Sequence, residues 1–196
     1  MDIPYTVAVR RDTGLNNGKI GIWLFLASEV MLFGALFASY ILIRTGSPSW
    51  PRGDTVLDYR LATFNTIVLI TSSVTMVMAW ASLMRRKLPT FRMYMAATVL
   101  LGGVFLLVKY FEYSHHLHLG EYPSHNNFFA IYYTLTGLHM LHVFGGMVVN
   151  AYFWGPGAKL WDKNPTWFTN RVEHSGLFWH FVDLVWIFLF PVLYLL

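Results

Sequence analysis

The sequence predicts an all-α integral membrane protein, a bundle of five transmembrane helices with the N-terminus in the cytoplasm and the C-terminus outside. Three observations predict it. Of the 196 residues 56% are hydrophobic, 18% aromatic and only 12% charged, with a mean hydropathy of +0.47, whereas an average soluble domain is about 25% charged. Five apolar runs reach the roughly 20 residues that cross about 30 Å of hydrocarbon. Lysine and arginine crowd into alternate connectors, as they do on the cytoplasmic side of membrane proteins.

The runs lie at about 20–43, 61–84, 93–115, 127–153 and 174–196. The first, IGIWLFLASEVMLFGALFASYILI, follows Arg10 and Arg11 without a small-residue cleavage site, so it reads as a retained helix and not a removable leader. Each later run is set off by a Pro/Gly-rich or charged connector: GSPSWPRGD, MRRKLPTFR, HLHLGEYPSHNN and GPGAKLWDKNPTWFTNR. None could hold a domain and no internal repeat is visible, so residues 1–196 are expected to form a single membrane domain.

Threading the runs through a bilayer puts Arg10, Arg11, Lys19, Arg85, Arg86, Lys87, Arg92, Lys159, Lys163 and Arg171 on the side of the N-terminus, ten of the fourteen cations. Arg44, Arg52 and Arg60 fall on the other side, and Lys109 lies within a helix. The net charge of +4 follows from that asymmetry and implies no nucleic-acid partner, since no basic helix lies outside the membrane. With no cysteine, disulfides, thiolate metal sites and cysteine nucleophiles are excluded.

Polar residues inside the helices are the functional candidates. Glu29 stands alone near the middle of the first run, about ten residues or roughly 15 Å deep. A carboxylate there costs a few kcal/mol on insertion scales, so it is kept for a partner, a proton or a specific contact. Its own-helix neighbours at i±3 and i±4 are Phe25, Leu26, Leu32 and Phe33, none a partner. It should therefore hold its proton unless another helix supplies a cation or donors. Asp183 lies at similar depth with His180 three residues before it, and His139 and His142 have the same spacing in the fourth run. Lys109 and Glu112 share a face near the outer end of the third, followed by His115, His116 and His118.

Most of these residues have ordinary readings. His139 and His142 are expected to satisfy their ring nitrogens by hydrogen bonds between helices, since two ligands three apart would need further ligands from elsewhere to hold a metal or haem. An ion pair or hydrogen bond fixing the last helix accounts for His180 and Asp183 more simply than a proton relay. Lys109 and Glu112 are expected to pair with each other near the interface. His115, His116, His118 and His125 read as solvated loop residues, and Gly34 and Ala38 as points of close helix approach. Glu29 alone lacks such a reading.

Four ordered motifs carry a family resemblance: SEV in the first run, KYFEYSHH at the end of the third, YTLTGLHMLHVFGG in the fourth and EHSGLFWHFVDLVWIFLFPVLYLL in the fifth. From about residue 19 to 196 the chain resembles subunit III of the haem–copper oxidases, in the short five-helix form. The resemblance implies a non-catalytic subunit of a respiratory terminal oxidase that supports assembly, proton uptake and turnover stability. It implies no redox cofactor in this chain, haem and copper in partner subunits I and II, contact with membrane phospholipid, and room for a small fourth subunit or a respiratory supercomplex. Glu29 matches the family's buried carboxylate, and Glu112, His139, His142, Glu173, His180 and Asp183 match motif positions as structural or contact residues. The short form fits a bacterial or archaeal cytoplasmic membrane ahead of the mitochondrial inner membrane. Two rival classes use the same histidines: a membrane di-iron enzyme, from HHLH and HMLH, and a b-type cytochrome with His180 opposite His139 or His142.

Overall fold

A computed structural model describes residues 16–51 and 53–196 of the chain. Arg10, Arg11 and Arg52 of the charge count lie outside the described residues. Five long helices dominate: α1 (Asn17–Gly46), α3 (Tyr59–Met84), α4 (Leu88–His118), α5 (Asn127–Trp154) and α7 (Pro165–Phe190). Two four-residue helices, α2 (Gly53–Val56) and α6 (Leu160–Lys163), sit in connectors, a 3₁₀ turn covers Pro156–Lys159, and a π-helical turn, Pro191–Leu195, ends the chain.

Helix starts follow local chemistry. Asn16, Asp58, Asn126 and Asn164 each accept a backbone N–H at the first turn of α1, α3, α5 and α7, at 2.7 to 3.2 Å. Because such caps lie in polar connectors, the helices run past the apolar runs; α7 begins at Pro165, nine residues before the run at 174–196.

Contacts between ends give the direction of each rod. Lys19 meets Glu173 at the starts of α1 and α7, and Tyr40 and Arg44 meet Val192 and Leu196 at their far ends, so α1 and α7 run parallel. Glu112 of α4 meets Tyr194 just after α7, so α4 ends at that same level, and α5 must run back between them. α4 packs between α3 and α5, while α7 touches α1, α3 and α5.

Four of the rods, Asn17–Gly46, Tyr59–Met84, Leu88–His118 and Pro165–Leu195, are long and apolar enough to cross a membrane. The fifth expected crossing, α5, has the length, at 28 residues, and carries His139, His142, Asn150 and several tyrosines among its apolar residues. α1 stands at the rim and buries only Leu26, Phe33 and Tyr40, seven residues apart on one stripe. Gly34 has nothing within 4 Å of where a Cβ would stand, so its expected role in close helix approach does not hold within this chain.

Close approach occurs instead around Trp179 of α7. A Cβ on Gly102 of α4 would stand 2.9 Å from its ring, and one on Gly146 of α5 likewise 2.9 Å. The indole, 1% exposed, slots between two helices whose missing side chains make room, and its Nε1 donates to Ser72 Oγ of α3 at 3.1 Å. Trp179 thereby joins α3, α4, α5 and α7, which is dense packing of the kind that substitutes for hydrophobic driving force in lipid. Gly146→Val is expected to lower the thermal midpoint sharply, by overpacking worth roughly 1–3 kcal/mol. Its neighbour Gly145 faces open space, so Gly145→Ala should be neutral or up to about 1 kcal/mol stabilising. Thermal unfolding of both variants in one detergent measures this.

Candidate functional site: polar pairs inside the bundle

Glu29 has a partner, and it comes from another helix. Its Oε2 lies 2.9 Å from Nε2 of His142 on α5, with the two side chains 14% and 15% exposed at the α1–α5 seam. The other ring nitrogen, Nδ1, lies 2.8 Å from the Leu138 carbonyl, which can only accept, so Nδ1 carries hydrogen. That leaves two consistent states for the Glu29–His142 bond. Either the neutral carboxyl donates to Nε2, or an imidazolium donates to the carboxylate; one proton is shared in both. Phe33 of α1 meets the His142 ring edge-on at 5.2 Å, closing the seam. The pair meets the condition under which Glu29 need not stand as an isolated neutral acid.

His180 and Asp183 both turn to the neighbouring helix α3. His180 Nδ1 lies 2.8 Å from Ser73 Oγ of α3, and the same hydroxyl interacts with the Asp183 carboxyl. Helix α7 is thus tied to α3 through Ser73, which sequence reasoning overlooked because a serine inside an apolar run carries no distinguishing signal. Asp183 Oδ1 keeps no protein partner.

His139 departs further from expectation. It is fully buried, and neither ring nitrogen has a protein hydrogen-bond partner. The ring stacks on Trp186 at 5.3 Å and meets the edge of Phe105 at 5.6 Å, so aromatic packing holds it where interhelical hydrogen bonds were expected.

Lys109 and Glu112 do pair, at 3.1 Å, and are enclosed by the bundle: the side chains are 0% and 3% exposed. Glu112 Oε1 also accepts from Tyr132 of α5 at 2.7 Å and from Tyr194 at 2.6 Å, and Lys109 Nζ donates to Tyr194. The ammonium lies 5.1 to 5.7 Å from the ring centres of Tyr113, Tyr132, Trp186 and Tyr194. Attraction of a cation to aromatic faces strengthens when water is excluded. This cluster fastens the end of the chain to α4 and α5. Tyr132 and Tyr194 were legible only as apolar aromatics.

Glu173 bonds Lys19 Nζ at 2.6 Å, joining the starts of α7 and α1 in a half-exposed ion pair. His116 is corrected from a solvated loop residue to a buried helical one, its Nδ1 2.5 Å from Glu121 Oε2, and His115 and His118 are also within α4. Among the described residues no three His, Asp or Glu side chains gather as a metal site. His116, His142 and His180 are each committed to a different partner, and His139 is packed between rings.

Two expectations follow. Lys109→Met, which strands a buried carboxylate, should destabilise by about 3–5 kcal/mol, and adding Glu112→Gln should recover a large part of it. Chemical or thermal unfolding compares them. A double-mutant cycle between Glu29→Ala and His142→Phe should give a coupling of roughly 0.6–1.7 kcal/mol, from the average to the largest value found for hydrogen bonds between membrane helices. Strict additivity would contradict the contact.

Comparison with known proteins covers almost the whole chain. The family described as cytochrome c oxidase subunit III matches residues 5–196. Cytochrome c oxidase subunit 3 of Thermostichus vulcanus is 34% identical over 182 residues, 90% of this chain and 86% of that protein. The subunit of the same name from Bacillus sp. (strain PS3) is 32% identical over 187 residues, 92% and 86% of the two chains. The cytochrome bo(3) ubiquinol oxidase subunit 3 of Pseudomonas aeruginosa is 31% identical over 186 residues, 94% and 87%. With matches of this extent laid over the polar pairs of the bundle, the chain belongs to the cytochrome c oxidase subunit III family.

Proposed function

We propose that this chain is the non-catalytic subunit III of a bacterial haem–copper terminal oxidase, held in the plasma membrane beside the subunits that carry haem and copper. The match over residues 5–196 carries this reading. The arrangement of side chains supports it: polar residues of the bundle are spent on joining helices, and His116, His142 and His180 each bond a different protein partner. Rings committed in this way favour neither a di-iron enzyme nor a haem-clamping cytochrome.

The chain reads as a single membrane domain in which α5 is the fifth crossing. Since α4 and α7 run in the same direction, the chain must return between them, and α5 is the only long rod available. The cation asymmetry favours an N-terminus in the cytoplasm. Residues Glu29 and His142 act together in the α1–α5 seam. They hold the rim helix on the bundle, and a proton shared there would be available beside a subunit that takes up protons. Glu112, His139, Glu173, His180 and Asp183 serve positioning roles within the same frame. The outer face of α1, with Trp23, Leu24, Met31 and Leu42 at 54% to 77% exposure, fits contact with phospholipid or with a partner subunit.

Purification through a tag on this chain from its native membrane tests the reading. Subunits I and II and a haem spectrum should copurify, and the separated chain should show no Soret band. Recovery of the chain without oxidase subunits, or haem bound to the separated chain, would overturn it. A copper-bearing subunit II in the complex would indicate a cytochrome c donor, and its absence a quinol donor.

A further inference from the structure

The tight turn between α3 and α4 holds a concentration of positive charge that no acid among the described residues answers. Arg85, Arg86, Lys87 and Arg92 fall within eight residues and all are exposed. None appears in an ion pair among the described residues. No Asp or Glu occurs anywhere from residue 59 to 111, and the acids that flank the hairpin, Asp58 and Glu112, lie at its opposite end. The other connection at this end is different: it mixes Lys159, Lys163 and Arg171 with Asp162 and Glu173.

The backbone adds a second oddity. Arg86 has φ of +55°, in the left-handed region, held by its N–H donating to the Leu83 carbonyl and that of Lys87 to the Ser82 carbonyl, each at 2.9 Å. Helices that close in this way usually place glycine there, because a Cβ disfavours the conformation. A cation retained at the position where glycine is easiest points to a use for its side chain.

We propose that the α3–α4 turn is a binding site for the phosphate of an anionic phospholipid. The proposal rests on reading α3 and α4 as membrane spans and goes beyond the oxidase role. Arginine guanidinium groups match phosphate oxygens in paired hydrogen bonds, and clustered cations at the membrane surface attract anionic headgroups. Met84 and Met93, on either side of the turn, are 63% and 61% exposed. A lipid offers phosphate to the arginines and hydrocarbon to the methionines at once, whereas an acidic protein segment answers only the charge.

The intact oxidase complex, purified through this chain, is reconstituted in nanodiscs of phosphatidylcholine with a minor share of phosphatidylglycerol, and lipids retained on re-extraction are counted by native mass spectrometry. The wild type should retain phosphatidylglycerol selectively. Arg86→Gly removes a cation while relieving the left-handed backbone, so it should retain about fivefold less, with a thermal midpoint in pure phosphatidylcholine unchanged or higher. Arg85→Gln combined with Lys87→Gln should weaken retention further. Equal retention by the Arg86→Gly complex would overturn the proposal, as would displacement of the lipid by millimolar inorganic phosphate, which would assign the site to the free ion. Loss of a partner subunit in place of lipid would assign the charges to an acidic protein surface and overturn it as well. Recovery of the wild-type complex in both lipid mixtures separates any of these failures from failure of the oxidase reading.

Discussion

Pairing of polar side chains across helices is the constraint on which this bundle depends. In hydrocarbon an unmet polar group costs several kcal/mol, and apolar surface gains little by leaving lipid for protein. Helix association must therefore come from close packing and from bonds such as Glu29–His142, Ser73–His180, Trp179–Ser72 and the Lys109–Glu112 cluster. The first joins α1 to α5, the next two both join α3 to α7, and the cluster ties α4 to α5 and to the end of the chain. Helix α7 carries ends of several, so it is the element against which the others are set.

Two of the acid–base pairs illustrate opposite solutions to the same cost. Lys109 and Glu112 are sequestered completely, with two tyrosine hydroxyls donating to Glu112 Oε1, aromatic faces around the ammonium, and Oε2 left without a protein partner. A pair enclosed in this way is suited to fixing structure, because exchange of its proton with the surroundings requires the bundle to open. Glu29 and His142 lie at a seam and keep partial exposure. The same chemical types, at the rim, make a bond that both holds α1 and can meet lipid or a neighbouring subunit.

The membrane class and long helices were legible because hydropathy over 20 residues is a property of composition, and the family because its motifs are contiguous in sequence. Pairings between helices were not, since nothing in one chain position reports what lies 113 residues away, the separation of Glu29 from His142. Glu29 was recognisable as needing a partner and the partner was not. His139 and His142 looked alike three residues apart, yet one packs between rings and the other bonds a carboxyl, because helical rotation turns them to different neighbours. Gly34 read as a point of close helix approach, yet the glycines that meet Trp179 of another helix are Gly102 and Gly146.

The central claim is that Glu29 shares one proton with His142 and does not stand alone in the membrane. Infrared difference spectroscopy of the complex at neutral pH, comparing wild type with Glu29→Gln and His142→Phe, tests it most directly. The band assigned to the Glu29 carboxyl, whether of the acid or the carboxylate, should vanish in Glu29→Gln and shift in frequency in His142→Phe. A Glu29 band unchanged by the loss of His142 would contradict the account.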